Sequence, residues 1–252
     1  MSNKQSFCIA NWKMNKSLDE SNQFLNKLTS KDLTISNSKL IICPSFISLS
    51  PISLSNSSNL IEFGSQNVSS EQEGSLTGEI SVSMLENINC NWSIIGHSER
   101  RQSFFETDDL IAKKMKLVLE SNLNPILCIG ETLEERNNNL TEEILNNQLE
   151  TAFSKVNTNS LFKKNILIAY EPVWAIGTGV SADIETINNN IAIIKNIVNN
   201  YIINNCNIYL LYGGSVNERN AAEIFNIKYL NGFLIGTSSL DVNSFYNIYK
   251  QI

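Results

Sequence analysis

The chain has 252 residues, of which 42% are hydrophobic and 17% charged, with a formal net charge of -6. That content is enough for one large core or two small ones, and a negative balance without any Lys/Arg cluster argues against a nucleic-acid binder. Cys8, Cys43, Cys90, Cys128 and Cys206 are odd in number and lack a CxxC spacing, so they read as reduced, buried thiols of a cytosolic protein and not as a disulfide or zinc framework.

No leader and no membrane-spanning apolar run is expected. Residues 6–10 form a short apolar strand, followed by Asn11-Trp12-Lys13-Met14-Asn15. Ser17 reads as the N-cap of a helix to about residue 29, with Leu18, Phe24, Leu25 and Leu28 on one side. Lys39–Cys43 is a second strand, stopped by Pro44. After a short helical stretch in the serine-rich segment, residues 60–64 form a third. Residues 66–78 are polar and irregular, a loop long enough to suggest a purpose. Residues 92–96 are the fourth strand, 108–120 a helix, 124–129 the fifth strand and 141–154 a helix. The run from Ile166 to Tyr170 is fully apolar, as a strand buried on both faces requires. It is followed by a helix over 184–203, a strand over 207–211, a short helix over 217–225, a strand over 231–235 and a closing helix over 242–249.

Eight apolar strands alternating with helical patterns, without a linker, imply parallel strands and right-handed crossovers. Eight such units predict an α/β fold, one (β/α)8 barrel domain over residues 1–252. An open doubly wound sheet would want a glycine-rich fingerprint after the first strand, and Asn11-Trp12-Lys13-Met14-Asn15 is none. In such barrels chemistry sits where strands end.

The sixth strand runs into Glu171, which Pro172 keeps out of helix. Val173, Trp174, Ala175 and Ile176 are apolar but lie between that proline and the Gly177/Gly179 pair, which suits a lid that excludes water. A buried helix start with a glycine turn fits the same residues. Lys13 follows the first strand, where an ammonium group suits a phosphate or an oxyanion, although a surface lysine is common there. His97 is the only histidine. Ser98 and Glu99 after it favour a helix start, whose positive end would keep the imidazole neutral and able to donate to a carbonyl oxygen. Cys128 fits a small buried hydrophobe. Glu131 has two candidate partners, Arg100 and the lid residue Trp174. Tyr212-Gly213-Gly214-Ser215 and Gly236-Thr237-Ser238 follow the seventh and eighth strands, where barrels hold phosphate on backbone amides. These parts suit proton abstraction beside a carbonyl on a small phosphorylated substrate, with no cofactor. A different phosphate-binding barrel isomerase and a catalytically idle barrel are the competing readings.

Asn-Trp-Lys-Met-Asn (11–15), Gly-His-Ser-Glu-Arg-Arg (96–101), Cys-Ile-Gly-Glu (128–131), Tyr-Glu-Pro-Val-Trp-Ala-Ile-Gly-Thr-Gly (170–179) and Tyr-Gly-Gly-Ser-Val (212–216) resemble the triosephosphate isomerase family in order and spacing. The resemblance implies that Glu171 moves a proton between C1 and C2 of dihydroxyacetone phosphate and D-glyceraldehyde 3-phosphate. It implies that His97 polarises the carbonyl and that Lys13 with Asn11 offsets the charge on the enediolate, with Glu99 beside Lys13. The amides of Gly177, Ser215, Gly236 and Thr237 would hold phosphate. Residues 172–182, including Pro172, Val173, Trp174, Ala175, Ile176, Thr178 and Gly179, would form the lid, latched by Tyr212 and Ser215. Cys128 and Glu131 would lie behind the reacting groups. Thr77, on the loop that follows Gln66, would reach a second subunit and prop its Asn11 and His97, in a homodimer whose monomers are poorly active. Two departures from the family stand out. Thr237 replaces a common glycine, a strain if its φ must be positive, and Val180 and Ser181 are unusual in the lid.

Overall fold

In the computed structural model the described residues are 5–56, 58–176, 182–199 and 206–252. The chain alternates as β1 (Phe7–Asn11), α1 (Leu18–Thr29), β2 (Lys39–Cys43), α2 (Phe46–Ser55), β3 (Ile61–Ser65), α3 (Val82–Glu86), β4 (Trp92–Ile95), α4 (Ser98–Ser103) and α5 (Asp108–Leu119). It continues as β5 (Asn124–Ile129), α6 (Leu133–Asn137), α7 (Thr141–Phe153), β6 (Asn165–Tyr170), α8 (Ile184–Asn199), β7 (Asn207–Tyr212), α9 (Ala221–Phe225), β8 (Leu230–Ile235) and α10 (Val242–Tyr249). All neighbouring strands pair in parallel, and β8 pairs with β1 to close an eight-stranded barrel. The expected (β/α)8 fold is the one the chain adopts.

Strand residues alternate between two cores because successive side chains point to opposite faces. Phe7, Ile9, Ile41, Cys43, Trp92, Ile94, Ile126, Cys128, Leu167, Ala169, Leu211 and Leu234 fill the barrel interior. Their neighbours, such as Cys8, Ala10, Leu40, Ile42, Ile168 and Tyr170, face the helices. Both faces are dry, so the strands read as continuous apolar runs. At the end where the strands begin, the rings of Phe7 and Tyr209 lie 4.8 Å apart and those of Phe7 and Trp92 5.9 Å apart, plugging the interior. The same alternation governs the other end. Asn11 continues the Phe7–Ile9 series, Glu171 continues Leu167–Ala169, and Gly213 and Gly236 continue Leu211 and Leu234. The inward register delivers these residues to one mouth.

Local signals account for most of the helices. Ser17 accepts from the Glu20 amide and Glu20 returns a bond to the Ser17 amide, a capping box at the predicted start of α1. The helix expected over 217–225 is shorter, because the Asn217 and Asn220 side chains accept from the Arg219 and Asn217 amides and hold residues 217–220 as a turn. The strands expected over 6–10 and 60–64 sit one residue later, the others match to within one residue at an end, and the end of the helix expected over 184–203 lies outside the described residues.

Candidate active site

Asn11 ends β1, and its Oδ1 accepts from the Lys13 amide at 3.1 Å. Lys13 has φ 52°, a left-handed conformation that an L-residue holds only at a cost of about 1–3 kcal/mol. Two side chains hold it there, Asn11 through the Lys13 amide and Gln66, whose Nε2 donates to the carbonyls of Lys13 and Cys43 at 2.8 and 3.0 Å. The result aims the Lys13 ammonium into the mouth, 2.6 Å from Glu99 Oε1.

His97 is itself the N-cap of α4, which begins at Ser98 as the sequence suggests. Its Nδ1 accepts from the Glu99 amide at 3.2 Å. A ring nitrogen that accepts carries no proton, so the proton of the neutral ring sits on Nε2. Nε2 lies 3.0 Å from Glu171 Oε1 without aligning as a hydrogen bond, and that oxygen is buried with no donor. The other carboxylate oxygen, Oε2, accepts from the Ser98 amide at 2.8 Å. Glu171 is thus a buried carboxylate with one oxygen anchored and the other available. Below it, burial and then the charge of Glu171 push the Cys128 thiol well up, so the sulfur is an inert protonated floor.

Two glycines make room for Glu171. A Cβ on Gly130 would stand 1.7 Å from the Glu171 carbonyl oxygen, and one on Gly213 would stand 2.9 Å from Glu171 Cγ. Past Glu171 the chain forms a 3-10 turn over Val173–Ala175, so the segment that fits a lid or a buried helix start opens on one short helical turn. Trp174 Nε1 donates to Glu131 Oε1 at 2.8 Å, and Tyr170 donates to the same oxygen at 3.0 Å. The Glu131 carbonyl also accepts from the Val173 amide. Of the two partners considered for Glu131, Trp174 is the one observed. Arg100 instead meets Glu106 Oε1 at 2.5 Å, an oxygen that the Lys114 ammonium shares. Burial raises the Glu131 carboxyl above the usual carboxylate range. Burial likewise pushes the Tyr212 phenol up to about 12. Ser215 Oγ approaches the Ala175 carbonyl at 3.5 Å.

The loops after β7 and β8 complete a cavity of about 390 Å³ lined by Asn11, Lys13, His97, Glu171, Ile176 and both glycine-rich segments, Ser215, Gly236 and Thr237 included. The backbone N–H groups of Ser215 and Thr237 donate to no described residue, which suits them to an anion. The concern over Thr237 does not materialise. Its φ is not positive, and it opens a 3-10 turn over Thr237–Ser239. Gly177, Thr178, Gly179, Val180 and Ser181 lie outside the described residues. Thr77 lies on an exposed loop away from this cavity.

Sequence reasoning passed over Gln66, which fixes Lys13, and the buried Lys114 Nζ bonded to Glu106 Oε1 and Asn67 Oδ1. Those residues are ordinarily surface types, and their spacing carries no period. Chemically, the cavity offers a buried carboxylate, an imidazole with its proton on the nitrogen nearer Glu171, an ammonium group and the amides of the two glycine-rich segments.

The model of the triosephosphate isomerase family matches residues 6–252. The chain is 40% identical over 240 residues to the triosephosphate isomerase of Alkaliphilus metalliredigens, covering 94% of this chain and 96% of that one. It is 40% identical over 240 residues to that of Aquifex aeolicus, covering 95% and 96%. Against that of Vesicomyosocius okutanii it is 37% identical over 248 residues, covering 98% and 99%.

Proposed function

The chain belongs to the triosephosphate isomerase family and interconverts dihydroxyacetone phosphate and D-glyceraldehyde 3-phosphate; on that premise we propose that Glu171, His97, Lys13 and Asn11 carry the reaction. Glu171 removes a proton from C1, its electron pair forms the C1–C2 double bond of an enediolate, and the protonated Glu171 returns a proton to C2. His97, neutral with its proton on Nε2, donates to the developing oxyanion and passes that proton between O1 and O2, as is established for triosephosphate isomerases. Lys13 and the Asn11 side chain stabilise the negative charge on the intermediate. The amides of Gly177, Ser215, Gly236 and Thr237 hold the phosphate, remote binding energy that positions the three-carbon chain.

Residues 172–182 act as a lid that keeps water from the enediolate, which would otherwise expel phosphate. Glu131 supports the lid through Trp174, with Tyr212 and Ser215 beside it, and Cys128 seats Glu171. The whole chain works as one barrel domain, in the cytoplasm, which the unpaired cysteines support. It works as a homodimer. What supports this is exposed apolar surface on the segments that follow β1, β2 and β4, with Met14 96%, Ile47 76% and Phe105 82% exposed, together with the exposed loop bearing Thr77 after β3.

The observation that carries the assignment is the close set of Glu171, His97 and Lys13 around one cavity. In a coupled turnover assay, Glu171→Asp draws the carboxylate back by one methylene, about 1 Å, and is expected to lower kcat roughly 10²-fold. An unchanged kcat overturns the assignment.

A further inference from the structure

The 3-10 turn Thr237–Ser239 carries hydroxyls on three successive residues, and two of them are consumed inside the protein. Ser238 Oγ donates to the Val216 carbonyl at 2.6 Å and ties the turn to the loop after β7. Ser239 Oγ donates to the Gly236 carbonyl at 2.7 Å. From the other side Lys16 Nζ donates to the Leu240 carbonyl at 2.7 Å. The turn is therefore fixed by side chains at both ends. Thr237 is different. The residue is exposed and among those lining the cavity with Lys13 and Ser215, and its hydroxyl makes no hydrogen bond to a described residue. The Lys13 ammonium lies against the same turn, 3.7 Å from where a Cβ on Gly236 would stand.

We propose that Thr237 Oγ1 donates a hydrogen bond to the substrate's phosphate, so that this side chain sets the enzyme's affinity for a tetrahedral dianion. The inference rests on the reading of this cavity as the phosphate site. A backbone amide has a fixed donor direction, whereas a hydroxyl rotates about its C–O bond and meets whichever phosphate oxygen the amides leave uncovered. A hydrogen bond to a dianion is charge-assisted and roughly twice as strong as a neutral one. Threonine suits the task better than serine in one respect, because its β-branch limits χ1 and reduces the rotamer freedom lost on binding. The staples at Ser238 and Ser239 add to this by keeping the backbone that carries the hydroxyl in place.

The test compares Thr237→Val, which keeps the shape and removes the donor, with Thr237→Ser, which keeps the donor and removes a methyl group. Thr237 is exposed, so neither change disturbs the core. Two quantities are measured on each full-length enzyme, the KM for D-glyceraldehyde 3-phosphate and the competitive inhibition constant of inorganic phosphate. In Thr237→Val both are expected to rise about tenfold, the loss of one hydrogen bond to a charged group, with a smaller change in kcat. Thr237→Ser is expected to stay within about threefold of the parent, since the donor remains. Unchanged constants in Thr237→Val, or equal losses in both variants, overturn the role of the hydroxyl while leaving the phosphate site intact. Failure of inorganic phosphate to compete in the parent enzyme overturns the phosphate site, and this inference with it.

Discussion

Glu171 is fixed by its backbone before its side chain meets anything. Its amide donates to the Ile129 carbonyl at 2.8 Å, and the Gly213 amide donates to the Tyr170 carbonyl at 2.8 Å, so β5, β6 and β7 all hold the segment. The carboxylate then passes over Gly213, where only a hydrogen fits. Gly213→Ala therefore displaces Glu171 Cγ, and a shift of about 1 Å in the proposed base is expected to cost roughly 10²-fold in kcat. The circular dichroism of the barrel should remain unchanged, and parent-like kcat in this variant would show that the clearance does not matter. On the other side of the mouth, Gln66→Ala removes both donors that hold the Lys13 and Cys43 carbonyls. It releases the left-handed Lys13 backbone, so steady-state kinetics are expected to show a lower kcat/KM with a melting temperature close to the parent's.

Among the elements, the turn after β6 is tied to the loop after β5 through Glu131, and this makes the base of the proposed lid sensitive to one buried carboxyl group. Burial raises the Glu131 carboxyl, so the folded state binds its proton more tightly than the unfolded chain does. From the ordinary carboxylate range near pH 4 up to that raised value, the folded state therefore loses stability as pH rises. Glu131→Gln keeps an acceptor for Trp174 and Tyr170 and abolishes that slope. Its melting temperature relative to the parent is expected to climb between pH 4 and neutrality; a pH-independent difference would place the charge elsewhere. Much at this scale was legible in the sequence. The strand runs, the N-cap at Ser17, and the parity that turns Asn11 and Glu171 inward all follow from residue type and spacing. Thr132 and Glu135 form a second capping box, at α6, that the same rule would have found. What was not legible depended on distant partners. Glu106, Lys114 and Asn67 are ordinarily surface types until the fold buries them together, and Arg100, half-buried, meets Glu106 and not Glu131.

The whole molecule buries four of its five cysteines, with Cys206 half-buried. Burial pushes Cys90 up to about 12 and raises Cys8, Cys43 and Cys128 as well, so almost no thiolate forms at neutral pH. Native protein is expected to take up one equivalent of an alkylating reagent, at Cys206, and the remainder only on unfolding. The proposed second subunit makes a separate prediction. Ile47 lies in the first turn of α2 and is 76% exposed in the isolated chain, where a carboxylate would be tolerated or favoured. Ile47→Asp is therefore neutral in a monomer but disruptive under a partner, and light scattering is expected to show twice the chain mass for the parent and a lower mass with reduced turnover for the variant. Equal masses and turnover would place the interface elsewhere. The chemistry itself is tested by incubating dihydroxyacetone phosphate in deuterated water with the parent enzyme and with Glu171→Gln, and following deuterium uptake by NMR. The parent should incorporate solvent deuterium as it turns over, and the variant should lose both exchange and isomerisation by roughly 10²–10⁴-fold while still binding inorganic phosphate. Exchange at the parent rate in Glu171→Gln would mean that another group is the base.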